Sequence, residues 1–335
     1  MKRIVVIGTG GTIASRWQGC GYAAEADGPE VLKAAPVPDG VEVRVVDLFT
    51  VNSAQLTTAH QFRLLRTVHE VLADPSVDGV VVTHGTDTLE ESAFLLDLHH
   101  RDPRPVVFTG AQLPLDSTDG DAAGNLYDAL LTAASSEDIG VVIVFAGLVH
   151  AARGTLKMHT LDTRAFADPS GKPLGRLKFG EVVWNRARAR RHAPLPLPAL
   201  PARTPRVDVV MHHSDADPVL FDAALHAGAQ GVVLVGTGAG NATPEFATAV
   251  RRAVDAKVLV AVSTRVPGGR VAPIYTGGGA VDLEAAGAVL TGTLRAGQAR
   301  IAVLAALLSS DDAQGRAQVL RRICDTSDDP AAAAA

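Results

Sequence analysis

Two turns carry residue types that could do chemistry. The first, Thr9-Gly10-Gly11-Thr12-Ile13-Ala14, follows the apolar run Ile4-Val5-Val6-Ile7; the second, His84-Gly85-Thr86-Asp87-Thr88, follows another apolar run ending at Thr83. Glycines at 8, 10 and 11 let the backbone turn sharply and approach a ligand closely, which makes a threonine hydroxyl on that turn a candidate nucleophile. A dinucleotide or phosphate cradle is the competing reading of the same glycines. The fingerprint is incomplete, because G-x-G-x-x-G needs glycine where Ile13 stands, and no Gly-Lys-Ser/Thr follows. The second turn also has a plain reading, since Thr or Asp ahead of a helix is commonly an N-cap contributing about 1 kcal/mol. A cap needs one such residue, whereas here several polar side chains surround a glycine. Both readings stand. Tyr22 falls in residues 15–27, which have no helical or strand period and read as a mobile loop beside the site; taken alone it is a partly exposed aromatic. Lys157, closing Arg153-Gly154-Thr155-Leu156-Lys157, taken alone is a solvated charge. His99-His100 and His212-His213 lack the i, i+4 spacing of a zinc pair, so no metal site is read.

These turns need a scaffold. The run 4–7 is β-branched without polar alternation, which predicts a strand buried on both faces at the centre of a parallel sheet. Residues 41–48 alternate as a strand, and Val51-Asn52-Ser53 follows as a loop. Phe62, Leu65, Val68 and Leu72 mark one face of a helix over 60–73, which Asp74-Pro75 stops. Strands at 77–83, 106–108 and 141–145 alternate with a helix carrying Leu89, Ala93 and Leu96 and another over 124–135. Such alternation implies right-handed crossovers and a doubly wound, mostly parallel sheet whose ligands sit beyond the carboxyl ends of its strands. By that rule the turns at Thr12 and Thr86 open on one edge. Prolines at 194, 196, 198, 201 and 205 predict a stiff linker over 186–206 between an N-terminal catalytic α/β domain, 1–185, and a smaller C-terminal α/β domain, 207–335. In the latter, strands at 207–211, 231–235 and 257–262 alternate with helices at 219–227 and 244–253 as a second, smaller doubly wound sheet. The turn Gly236-Thr237-Gly238-Ala239-Gly240-Asn241 ends a strand, an apolar helix covers 296–308, and the alanines of 331–335 read as frayed.

Composition narrows the classes. At 335 residues the expectation is two domains, and 47% hydrophobic with 20% charged residues suffices for packed α/β layers. Lys and Arg number 31 against 36 Asp and Glu, so no basic footprint points to nucleic acid or an anionic membrane. Cys20 and Cys324 have no metal or redox spacing and read as free thiols in a reducing compartment. With a first strand starting at Ile4 and no run near the ~20 apolar residues of a span, the expectation is a cytoplasmic protein without an export signal or membrane segment.

The pairing of TGGTIA with HGTDT and a lysine at 157 resembles the bacterial L-asparaginase family, and the likeness extends through Ser53-Ala54-Gln55-Leu56-Thr57, the turn ending at Asn241, Ser263-Thr264-Arg265-Val266-Pro267 and the helix from Ala296. The resemblance implies hydrolysis of L-asparagine to L-aspartate and ammonia without a cofactor, through an acyl-enzyme on Thr12, with Tyr22 assisting its deprotonation. Thr86, Asp87 and Lys157 are implied as a second polar set. The substrate contacts it implies are Gly11, Ser53, Ala54, Thr86, Asp87 and Asn241: Asp87 for the α-ammonium, Ser53 for the α-carboxylate, and Asn241 reaching in from a neighbouring subunit. A homotetramer built as a dimer of dimers follows from the same likeness.

Two positions depart from the family pattern. Several members place a partner-subunit glutamate a little after the Arg-Val-Pro segment, where this chain has Tyr275-Thr276 and no acid before Asp282; exported members often carry glutamine where Ala54 stands. Ala54 removes a hydrogen-bonding side chain beside the substrate carboxylate, which is expected to lower activity on glutamine more than on asparagine. The other readings are a glutaminase-asparaginase, a subunit supplying ammonia to another enzyme's reaction, and a non-catalytic amino-acid or nucleotide binding protein.

Overall fold

The computed structural model describes residues 1–185, 193–199 and 203–325. The expected linker 186–206 falls partly outside the described residues, and the alanine tail 331–335 wholly outside them. The chain forms two compact units, one of Met1–Asp168 with Lys172–Pro194, the other of Pro169–Gly171 with Leu195–Ala335.

The first unit runs β1 (Lys2–Gly8), β2 (Ser15–Trp17), β3 (Tyr22–Ala24), α1 (Gly28–Lys33), β4 (Val41–Asp47), α2 (Thr58–Leu72), β5 (Gly79–Thr83), α3 (Leu89–His99), β6 (Val106–Thr109), α4 (Ala122–Ser135), β7 (Val141–Phe145), β8 (Leu148–Ala151), β9 (Leu156–Lys157), β10 (Phe166–Ala167), β11 (Gly175–Lys178) and β12 (Glu181–Trp184). Its main sheet has the order β12-β11-β8-β7-β6-β5-β1-β4, with the five strands from β7 to β4 parallel and the last three antiparallel. From β1 the chain crosses to β4 on one side and then to β5 on the other. The reversal lies between β1 and β5, the switch point where such sheets open a crevice. Ile4, Val5, Val6 and Ile7 are buried on both faces as their composition requires, yet β1 stands next to the edge strand β4 rather than at the sheet's centre. Helices on both sides cause that burial: α1 and α4 pack with Ile4 and Val6, while α2 and α3 pack together against the other face.

Two local structures differ from expectation. Residues 15–27 hold a short antiparallel hairpin in which Trp17 pairs with Tyr22, followed by α1. A three-residue strand is too short to show a period, and α1 is signalled only by its capping box, in which the Asp27 side chain accepts from the Glu30 N–H and Glu30 reaches back. Helix α2 begins two residues earlier than expected, because Thr57 and His60 form the reciprocal cap there.

The second unit runs β13 (Val207–Met211), α5 (Val219–His226), β14 (Gly231–Gly236), α6 (Pro244–Asp255), β15 (Leu259–Thr264), α7 (Ala280–Ala285), β16 (Val289–Leu290), α8 (Ala296–Ser309) and α9 (Ala313–Cys324). Its sheet is parallel in sequential order, β13-β14-β15-β16, without the strand-order reversal of the first sheet. Phe221, Phe246, Val250 and Leu283 from α5, α6 and α7 fill one face with Val232, Leu234, Val260 and Val262. The apolar α8, buried nearly all round, covers the other together with α9.

Candidate active site

The carboxyl ends of β1, β5 and β6 deliver three turns to the switch point. Beyond β1, Gly10 and Gly11 adopt φ of 86° and 85°, and a short 3₁₀ turn from Thr12 to Ala14 follows. The Gly11 N–H donates to Val51 O at 3.0 Å, tying this turn to the loop that carries Ser53. Beyond β5, Gly85 lies against Gly11 so closely that a Cβ on Gly11 would fall 2.1 Å from the Gly85 Cα. The two turns therefore meet through bare backbone. Thr12 and Thr86 each follow one of these touching glycines.

The second turn leads into α3 without a side-chain cap. Thr88 stands at the N-cap of α3, but its side chain makes no capping bond; its hydroxyl donates to Ser53 O at 2.9 Å. The Asp87 N–H donates to Ser53 Oγ at 3.1 Å. Lys157 is turned inward, with its side chain 18% exposed, in place of the solvated surface charge read for it alone. Its ammonium donates to Thr86 Oγ1 and to Asp87 Oδ1, each at 2.8 Å. The short β9–β10 ladder sets Lys157 opposite Phe166, and the Lys157 N–H donates to Glu90. Burial pushes the Glu90 carboxyl up to about 7, against the lowering effect of that N–H.

Two residues on this edge escape sequence reasoning, and a third, His84, is named there only as part of its turn. Gln112, beyond β6, accepts the Thr86 hydroxyl through Oε1 at 3.0 Å; it follows the end of a predicted strand, the only signal that could have found it. Glu90 lies in the first turn of α3, where an acid is favoured by the helix dipole and gives no sign of a further role. His84 is fully buried: Nδ1 lies 2.7 Å from Gly85 O, which can only accept, so Nδ1 carries the hydrogen and Nε2, 2.9 Å away, accepts from Ser92 Oγ. Desolvation holds the His84 imidazole down to about 4, so it is neutral and props the glycine turn from beneath. An open cavity of about 400 Å³ is lined by Asp87, Glu90, Lys157, Met158, His159 and Thr160.

Of the residues named from sequence, Gly11, Ser53, Thr86, Asp87 and Lys157 come together here, and Thr12 follows Gly11 directly in the chain. Ala54 lies exposed on the 3₁₀ turn Ser53–Gln55 beside them. Tyr22 is 53% exposed, its ring edge-on to Trp17 at 5.1 Å, and among the described residues no hydrogen bond joins it to Thr12. Asn241 belongs to the second unit, where it closes the glycine turn on Thr237 by paired backbone bonds of 2.8 and 2.7 Å.

Fold and site thus define a two-unit α/β protein whose first unit joins two threonine-bearing turns glycine to glycine, with a lysine bonded to the second. Its first part, residues 3–190, matches the model described as "Asparaginase, N-terminal", and residues 206–320 match "Glutaminase/Asparaginase C-terminal domain". The chain belongs to the asparaginase family, whose members are amidohydrolases. It is 34% identical over 315 residues to the L-asparaginase of Bacillus licheniformis, spanning 92% of this chain and 96% of that one. It is 32% identical over 287 residues to a glutaminase-asparaginase of Acinetobacter glutaminasificans, spanning 81% and 85%. The crystal structure of a probable cytoplasmic L-asparaginase from Campylobacter jejuni superposes with a TM-score of 0.85 at 28% identity, covering 96% of this chain and 99% of that one. Among the described residues no helix is long and apolar enough to cross a membrane.

Proposed function

We propose that this chain hydrolyses L-asparagine to L-aspartate and ammonia through an ester on Thr12. The Thr12 oxygen attacks the side-chain amide carbon, the C–N bond breaks, and the Thr12 proton leaves with the nitrogen as ammonia. Water then attacks the ester, giving up one proton to regenerate the Thr12 hydroxyl and leaving its oxygen in aspartate. A threonine hydroxyl needs an adjacent base at neutral pH. Tyr22 takes that part once the hairpin of β2 and β3 brings it to Thr12. Lys157, bonded to Thr86 and Asp87, supplies the positive charge that polarises the second hydroxyl and the water.

For the oxyanion we assign the N–H groups of Thr12 and Thr86, because those of Gly11 and Asp87 already serve Val51 O and Ser53 Oγ. Losing one such donor typically raises the barrier by roughly 3 kcal/mol. Asp87 pairs with the substrate α-ammonium and Ser53 with its α-carboxylate. Asn241 acts on the site of a neighbouring copy, so the smallest competent unit is a dimer and the working form a tetramer. We assign the protein to the cytoplasm, in keeping with the description of its Campylobacter jejuni neighbour.

The observation that supports this reading above others is the contact of Gly11 with Gly85, which sets the two hydroxyl turns side by side with Lys157 on the second. Ammonia release from asparagine, glutamine and β-aspartyl peptides, compared between the native protein and Thr12→Ala, tests it. Turnover of asparagine that vanishes in Thr12→Ala is expected. Full activity in that variant, or none in the native protein, defeats the proposal.

A further inference from the structure

Thr86 has one hydrogen to give, and its direction is set from outside the turn. The terminal atoms of a glutamine side chain look alike in shape, but those of Gln112 are told apart by their surroundings. One of them faces three carbonyl oxygens, those of His159, Thr160 and Asp162, at 3.4, 3.1 and 3.2 Å. Carbonyls only accept, so this atom is the nitrogen and Oε1 faces Thr86. Lys157 donates to the same hydroxyl, which leaves Gln112 Oε1, 3.0 Å away, as the acceptor of the Thr86 hydrogen. The backbone of Gln112 is also pinned: its N–H and that of Leu113 donate to the Asp121 carboxylate, which Asn125 Nδ2 holds in turn. Thr86 is 2% exposed, so bulk water does not compete for its hydrogen.

We propose that Gln112 is a positioning residue that fixes the polarity of the Thr86 hydroxyl, so that Thr86 meets whatever enters the crevice as a hydrogen-bond acceptor. With one lone pair on Lys157 and its hydrogen on Gln112, the oxygen keeps one lone pair for a water or the substrate amide. Without Gln112 the hydrogen swings toward that third partner and the preference inverts. The inference rests on the asparagine-hydrolysis reading above.

Steady-state kinetics of ammonia release from asparagine by the native protein, Gln112→Met, Gln112→Glu and Thr12→Ala test it, together with the Kd for L-aspartate. Gln112→Met is expected to lose at least about tenfold in kcat while KM and the aspartate Kd stay within about twofold, the split of an interaction used after binding. Gln112→Glu keeps an oxygen toward Thr86 but sets a carboxylate against three carbonyls. It is expected to gain on the native rate as pH falls, because the neutral acid both accepts from Thr86 and donates to a carbonyl. A native kcat in Gln112→Met, or a loss confined to KM and Kd in both variants, overturns the inference. Should Gln112→Met fail to fold, the absence of acid recovery in Gln112→Glu overturns it equally. Thr12→Ala separates the two levels: native turnover in that variant sinks the hydrolytic reading, whereas an inactive Thr12→Ala beside a fully active Gln112→Met sinks only the role of Gln112.

Discussion

Gly11 and Gly85 touch backbone to backbone, and no side chain fits between them: a Cβ on Gly85 would lie 2.6 Å from Ser53 Oγ and 3.0 Å from the Gly11 Cα. One contact thereby sets the spacing of both hydroxyl turns and of Ser53.

Gly85→Ala is accordingly expected to destabilise the protein by about 1–3 kcal/mol, the usual cost of forcing a methyl into a packed site. Activity should fall further than stability, since the displaced groups are those of the site. Thermal unfolding beside ammonia release would check this; a fully active, equally stable variant would contradict the described packing.

Lys157→Met should lower kcat by roughly 10²–10⁴-fold, the range for a positioned proton-handling group. Lys157→Arg is not expected to restore it. The guanidinium is longer and bulkier, and its donors lie in a fixed planar fork, whereas the ammonium is a compact point charge that turns its hydrogens to Thr86 Oγ1 and Asp87 Oδ1, each at 2.8 Å. Substantial activity in the arginine variant would show that charge alone suffices.

Two titratable groups of this edge, the half-buried Glu90 and the fully buried His84, give pH dependences of opposite sign. The Glu90 carboxyl is raised from its ordinary 4.5 to about 7, so its contribution to stability is fully present below pH 4.5 and is lost as pH climbs through 7. His84 is lowered from 6.5 to about 4, so its contribution is present above pH 6.5 and is lost as pH falls toward 4. Glu90→Gln keeps an oxygen for the Lys157 N–H but cannot ionise. Its stability relative to the native protein should rise between pH 4.5 and 7 by on the order of 1–3 kcal/mol. Chemical denaturation at several pH values would reveal it, and a constant difference across that window would refute it.

Ala54 sits exposed next to Ser53 with no group to reach a substrate. The native protein is expected to favour asparagine over glutamine, and Ala54→Gln to raise the relative rate on glutamine. Equal native rates on the two amides would defeat this expectation.

Much of this was legible in the chain itself. The β-branched runs at 4–7 and 141–145 mark strands buried on both faces, and the glycines of two polar turns mark where backbone approaches backbone. What stayed hidden depends on tertiary contact. Lys157 looks solvated until a two-residue ladder turns it inward. Gln112 carries no local signal beyond its place after a strand, because its role comes from three carbonyls some fifty positions away. The hairpin around Tyr22 and α9 were missed for different reasons. Three-residue strands show no period, and α9 is largely polar, with Leu320, Ile323 and Cys324 as its buried residues.

Thr12, Ser53, Thr86, Gln112 and Lys157 arrive on separate passes of the polypeptide through the first unit. No early fragment holds them together, and closing such long chain segments is slow compared with forming helices. During refolding from denaturant, the far-ultraviolet signal should return first and turnover last, which makes enzyme activity a clock for the final docking of the sheet.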